Sequence, residues 1–271
     1  MVDALQEMLT FDFMRRALWG ILLMMPLFSL LGTLVVNNGM SFFSDALGHS
    51  ALTGAAVGVL FGMADPQPAM LVFAVVFALL MNVIRHSRLS STDTVIGVFS
   101  SCGVALGLVM LSRSSSFSGY QSLLVGDILS ITSSQLWVLG GTLLAVAAVW
   151  VFCFNGFFAV AISPSLAKSR GLPAAWLDNL FVVVMALVVM LAVRWVGLLL
   201  INAMLILPAA AARNVSRSLR SYLLLTVIFS LFSGVLGLVL SYLNAVATGP
   251  MIVLVSATVF FGTVFLAHKE K

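Results

Sequence analysis

The chain alternates long apolar stretches with brief polar interruptions. Apolar runs occupy about residues 17–36, 45–63, 68–84, 94–111, 135–154, 176–193, 195–212, 221–243 and 249–267. Each is close to the roughly 17–25 residues that a helix needs to cross a bilayer. None shows the period-two alternation of a barrel strand, so helices are the predicted form. A further stretch, Leu123 to Ile131, is too short to cross. It follows a Ser-rich loop (Ser112 to Ser118) and contains Gly126 and Asp127, the pattern of a half-helix lining a cavity. The pattern predicts an all-α polytopic membrane bundle of about eight to nine spans plus a short re-entrant segment, with residues 1–271 forming one membrane domain.

Composition supports this reading and removes others. Of 271 residues, 62% are hydrophobic and only 8% charged, against about 25% charged in a soluble domain. The surplus apolar side chains must face lipid or one another. The formal charge of +4 calls for no nucleic-acid partner, because the sparse Lys and Arg sit between apolar runs, as in membrane loops. Acidic Asp3, Glu7 and Asp12 and the long run that follows argue against a cleavable signal peptide. With the C-terminus cytoplasmic, alternation puts Arg85, Arg88, Lys168, Arg170, Arg213, Arg217, Arg220, Lys269 and Lys271 inside. Arg15, Arg16, Arg113 and Arg194 then fall outside, so this orientation satisfies the positive-inside bias. Nine spans place the N-terminus outside; one re-entrant run would reverse it. The longer cytoplasmic segments lie near 155–175 and 213–220. Cys102 and Cys153 lie inside apolar runs, with no CxxC, and read as buried inert thiols.

Ionisable groups inside a membrane helix are costly and mark function. Asp45 and His49 stand out in the segment Ser41 to Thr53. A spacing of four places Asp45, His49 and Thr53 on one helical face. A carboxylate and an imidazole one turn apart suit a borderline cation such as zinc or manganese. The alternative is a structural Asp–His hydrogen bond at a helix start capped by Ser41 or Ser44. Gly54, Gly58 and Gly62 form a second stripe at spacing four, and Gly103 and Gly107 repeat it, which predicts close helix packing. Asp93 opens the fourth span beside Thr92, either as a helix cap or as a pathway group. Asp127 falls in the short re-entrant stretch. Pro208 predicts a kink that frees a carbonyl, and Arg194 reads as a snorkelling side chain at the outer interface.

There is no phosphate-cradling G-x-x-x-x-G-K-[ST], no H-E-x-x-H and no G-x-S-x-G. The expectation is a non-enzyme, with any ATP hydrolysis on another subunit.

Six motifs in order resemble the permease subunits of bacterial ABC importers for zinc and manganese. They are Met40-Ser-Phe-Phe-Ser-Asp-Ala-Leu-Gly-His49, Asp93-Thr-Val-Ile-Gly-Val-Phe-Ser100, Gly126-Asp-Ile-Leu129, Val196-Gly-Leu-Leu-Leu200, Leu205-Ile-Leu-Pro-Ala-Ala-Ala-Ala-Arg213 and Gly249-Pro-Met-Ile-Val-Leu254. Asn37-Asn38-Gly39 stands where relatives often carry two arginines, Gly48 where they often carry Ser, and Thr53 where they often carry Pro. The resemblance implies a multi-pass protein of the bacterial inner membrane that imports divalent metal, with zinc the first expectation and manganese or iron the others. It implies Asp45 and His49 as metal contacts, with Thr53, Gly54, Gly58, Asp93, Asp127 and Pro208 as pathway or helix-packing residues. The segment 162–173 corresponds to a cytoplasmic coupling helix, with Ala167, Lys168, Arg170 and Gly171 facing the ATPase. An ordinary basic loop is its alternative. The implied partners are a cytoplasmic ATPase subunit, an extracellular or periplasmic metal-binding protein, a second permease copy and the lipid bilayer. No cofactor is permanently bound; metal is cargo, and ATP belongs to the partner. The rival functions are an ATP-independent secondary transporter, which should show paired broken helices, a non-transporting scaffold or sensor, and an ABC permease for a metal chelate.

Overall fold

A computed structural model describes residues 2–87, 91–112 and 128–269. Among these residues the chain forms eleven α-helices and one 3-10 turn. The helices are α1 (Val2–Thr10), α2 (Asp12–Asn37), α3 (Phe43–Leu60), α4 (Gln67–His86), α5 (Thr92–Leu111), α6 (Ser133–Ile162), α7 (Pro164–Ser169), α8 (Ala174–Val196), α9 (Leu198–Val215), α10 (Leu219–Asn244) and α11 (Thr248–Lys269). The 3-10 turn covers Ile128–Ser130. Gly126 and Asp127, with most of the expected re-entrant stretch, lie outside the described residues.

Among the described residues, eight helices are long and apolar enough to cross a membrane: α2, α4, α5, α6, α8, α9, α10 and α11. The expected span at 45–63 is not among them. Its helix, α3, mixes Asp45, His49, three serines or threonines and three glycines into 18 residues, and these dilute its hydropathy. It is nevertheless largely buried, so its polar character is met by protein rather than lipid. The short helix α1 had no apolar run to announce it. Helix α6 runs 30 residues to Ile162, about 45 Å of helix, so residues 155–162 continue the span rather than form a loop.

The chain divides into two compact units. The first comprises residues 1–36, 127–152 and 199–271. Here α10 packs on α11, and a methyl group on Gly237 would lie 2.6 Å from Ile252 Cα. Helix α2 crosses α9 so closely that a methyl on Gly32 would overlap the Leu205 carbonyl oxygen and lie 3.0 Å from its carbon. Hydroxyls tie α2 to α10: Ser230 Oγ donates to the Met25 carbonyl at 3.2 Å, and Tyr222 OH donates to the Thr33 carbonyl at 3.3 Å. In a bundle without water, small residues and interhelical hydrogen bonds of this kind replace the hydrophobic drive.

The second unit comprises residues 37–126 and 153–198. At its centre α3 packs against α4, α5 and α8. A methyl on Gly54 would lie 2.8 Å from Met70 Cα, and one on Gly58 would lie 2.9 Å from Pro66 Cβ. Gly107 brings α5 onto the α3 backbone, where a methyl would lie 2.8 Å from the Thr53 nitrogen. Gly62 does not extend the stripe. It follows the helix at φ +69°, where its N–H bonds the Val59 carbonyl at 2.9 Å and the Met63 N–H bonds Gly58 at 3.0 Å. This is the paired arrangement that closes a helix on a left-handed residue.

Candidate functional site

The site is built on the first two turns of α3. His49 Nε2 lies 3.4 Å from Asp45 Oδ2, and the side chains are 30% and 37% exposed respectively. Spacing of four brings the pair together, and partial exposure leaves both groups reachable. No serine caps the helix: Phe42 occupies the cap position without a side-chain bond. Ser44 is instead fully buried, with no hydrogen-bond partner for its Oγ. This removes the capping role given to Ser41 or Ser44 in the structural alternative. Gly48 sits between the two, and a methyl there would overlap Leu198 Cδ1. Among the described residues, no group of three or more His, Cys, Asp and Glu side chains assembles to hold a metal.

Thr53 leaves this face. It is 2% exposed and its Oγ1 donates to the Gly103 carbonyl of α5, so it fastens two helices. Gly54 and Gly58 lie against α4. Asp93 is not the cap of α5. Ser91 caps α5, accepting from the Thr94 N–H at 3.2 Å. Asp93 sits exposed in the first turn, where a carboxylate complements the helix dipole. Pro208, in the other unit, is buried within α9. Arg194 does more than snorkel: its Nη1 donates to Asp65 Oδ1 and Gln67 Oε1, both at 3.1 Å. Cys102 is exposed on α5 rather than buried, and Cys153 is half-buried.

The expected coupling segment forms a real but short helix, α7. Ser163 caps it, accepting from the Leu166 N–H at 3.3 Å, and Pro164 begins it, the preferred order of cap and proline. Ala167 points inward at 1% exposure. Gly171 is the left-handed terminator at φ +74°, with its N–H on Lys168 and the Leu172 N–H on Ala167. Ala167 is therefore turned toward the chain itself, whereas Gly171 is exposed, so the two do not form one small-residue face. What α7 offers outward is Leu166, Lys168, Ser169 and Arg170.

A buried polar cluster links α4 to α8 and was not singled out in the sequence. Arg85 Nη2 donates to both Asp178 oxygens, at 3.0 and 2.8 Å, and the two side chains are 9% and 10% exposed. Asn82 Nδ2 donates to Asp178 Oδ2 and to Asn179 Oδ1, both at 2.8 Å. The available signal was a lone acid in the first turns of an apolar span, which by itself marks a partner or a function. A cavity of about 590 Å³ adjoins the cluster, lined by Asn37, Asn38, Arg85, His86, Lys168 and Asp178 among others. Its lining joins the end of α2 and the residue after it to α4, α7 and α8 and includes no residue of α3.

Long apolar helices whose charged residues, among the described residues, lie near the helix ends, together with the accessible carboxylate–imidazole pair of α3, define a multi-pass integral membrane protein of the bacterial inner membrane. The family model described as ABC 3 transport family matches residues 10–267, and the chain belongs to that family. It is 30% identical over 269 residues to the manganese import system permease protein ScaB of Streptococcus gordonii, covering 99% of this chain and 96% of that one. It is also 30% identical over 240 residues to the high-affinity zinc uptake system membrane protein ZnuB of Haemophilus influenzae, covering 88% and 92%. Among solved structures it resembles PsaBC from Streptococcus pneumoniae in complex with Fab, with TM-score 0.83, 29% identity and coverage of 97% and 94%. A putative metal-chelate type ABC transporter in an inward-facing conformation shares the fold at TM-score 0.74 and 15% identity, covering 98% and 90%. The zinc and manganese names that the six motifs implied are those the relatives carry.

Proposed function

We propose that the chain is the membrane-spanning permease subunit of an ATP-driven importer of divalent metal ions, zinc or manganese. It works as a pair of copies with cytoplasmic ATPase subunits and an extracytoplasmic metal-binding protein. The observation that carries the reading is the Asp45–His49 pair, 3.4 Å apart and partly exposed on a buried, otherwise uncharged helix. A transport site must bind weakly enough to release. Two ligands from each copy suit that better than a closed four-ligand zinc cage within one chain.

Zinc is the ion first expected from the sequence. Manganese is the second reading, favoured by relatives named for manganese that align over 98–100% of the chain. A carboxylate with an imidazole accommodates both ions. Helix α7 is the coupling element in this reading. It meets the ATPase through Leu166, Lys168, Ser169 and Arg170, and the ends of α4 and α8 beside it face the cytoplasm. The test is uptake of radioactive zinc and manganese into proteoliposomes holding the full assembly. Uptake should require ATP and stop with vanadate. Uptake that continues without ATP would instead make this a secondary transporter.

A further inference from the structure

We propose, resting on the reading above that a partner's ATP hydrolysis drives this permease, that Asp178 gripped by Arg85 and Asn82 is the joint through which movement of α7 reaches α3. These are positioning residues; none touches the ion.

The connection from α7 to α8 is stiff. After Ser169 the chain makes one closed turn, in which the Leu172 N–H bonds Ala167 at 3.1 Å and the Ala174 N–H bonds Leu172 at 2.8 Å. Pro173 then fixes φ just before α8 begins at Ala174. Displacement of α7 therefore passes into the start of α8 rather than being absorbed by a loop. Asp178 lies one turn further on.

At that point α8 is held to α4 by a directional contact. Apolar packing would let the two helices slide; Arg85 Nη2 shared between both carboxylate oxygens of Asp178 is a charge-assisted, directional contact that resists it. Asn82, one turn from Arg85 on α4, grips both Asp178 and Asn179 and so restrains rotation. Nine-tenths burial keeps water from competing for these bonds. At the opposite ends of the same helices, Arg194 pairs with Asp65, but those side chains are 41% and 60% exposed. Water weakens such a contact. The buried end is thus the firm attachment and the exposed end the yielding one. Across the adjoining cavity stand Pro164 and Lys168 of α7, leaving room for α7 to shift while the joint stays closed. Helix α3 packs against both α4 and α8, and Leu198, two residues past the end of α8, lies against Gly48 between Asp45 and His49.

The experiment compares Asp178→Asn, Arg85→Gln and the exchange R85D/D178R with the unaltered permease, each reconstituted with its ATPase and metal-binding protein. The readouts are thermal stability, ATP hydrolysis, and radioactive zinc or manganese uptake. We expect both single variants to bind the ATPase and hydrolyse ATP at more than half the normal rate. Ions moved per ATP should fall at least tenfold, and the exchange should recover at least a third of that loss. A normal ion-to-ATP ratio in the single variants overturns the proposal. So does a parallel loss of stability, hydrolysis and uptake that the exchange leaves unrepaired, since that marks a merely structural pair. If the unaltered assembly shows no ATP-dependent uptake, the importer reading fails, and that outcome is distinct from failure of the joint.

Discussion

The tightest crossing in the first unit gives a sharp energetic prediction. At Gly32 on α2 an added methyl would overlap the Leu205 carbonyl oxygen, and its carbon would stand 3.0 Å from the Leu205 carbon and 3.3 Å from Leu205 Cα. Ordinary carbon contacts lie at about 3.5–4.0 Å, so α2 and α9 must separate. The obstacle is backbone, which cannot rotate aside as a side chain can. Overpacking of this kind costs about 1–3 kcal/mol, and this contact belongs at the upper end. Replacing glycine by alanine in a helix interior also stabilises by about 1 kcal/mol. That gain cancels if Gly32→Ala is compared with Gly140→Ala in α6, where an added methyl meets nothing within 4 Å. The difference between the two variants then isolates the overpacking, about 2–3 kcal/mol. It should appear as a thermal midpoint lower by on the order of 5–10 °C for Gly32→Ala in detergent. Equal midpoints, or a more stable Gly32→Ala, would refute the close crossing of α2 and α9.

Two predictions concern α7 and its side of the membrane. Leu166→Glu, at a residue 52% exposed, should leave the permease in the membrane while ATPase co-purification and metal uptake fall together by at least tenfold; full co-purification would remove α7 as the docking element. A cysteine placed at Ser169, with Cys102 and Cys153 removed, should resist impermeant thiol reagents in intact cells and react after permeabilisation, and labelling from outside would reverse the orientation.

Most of the bundle was legible because a membrane helix must be continuously apolar for a fixed length, and that leaves a strong trace. The trace fails where a helix is shielded by protein rather than lipid. Helix α3 is the case in point: its serines, glycines and Asp45–His49 pair lower its hydropathy, yet it lies at the centre of its unit. The pairing of Asp45 with His49 was legible because it depends only on residues four apart in one helix. Thr53 shares that spacing, but its hydroxyl finds a carbonyl on α5, a partner 50 residues away that periodicity cannot indicate. The Arg85–Asp178 cluster escaped notice for the same reason, its members being 93 residues apart. Ala167 and Gly171 show the opposite error. Small residues at spacing four suggested a docking face, whereas Ala167 packs inward and Gly171 supplies the positive φ that ends α7.

The central claim is that the permease hands metal across the membrane through Asp45 and His49. Its most direct test is uptake of radioactive zinc and manganese by proteoliposomes carrying Asp45→Asn or His49→Ala permease, each confirmed to insert, to bind its ATPase and to match the thermal stability of the unaltered chain. The account predicts that uptake of the transported ion falls to background in both variants while ATPase binding is unchanged. Normal uptake in both would contradict it.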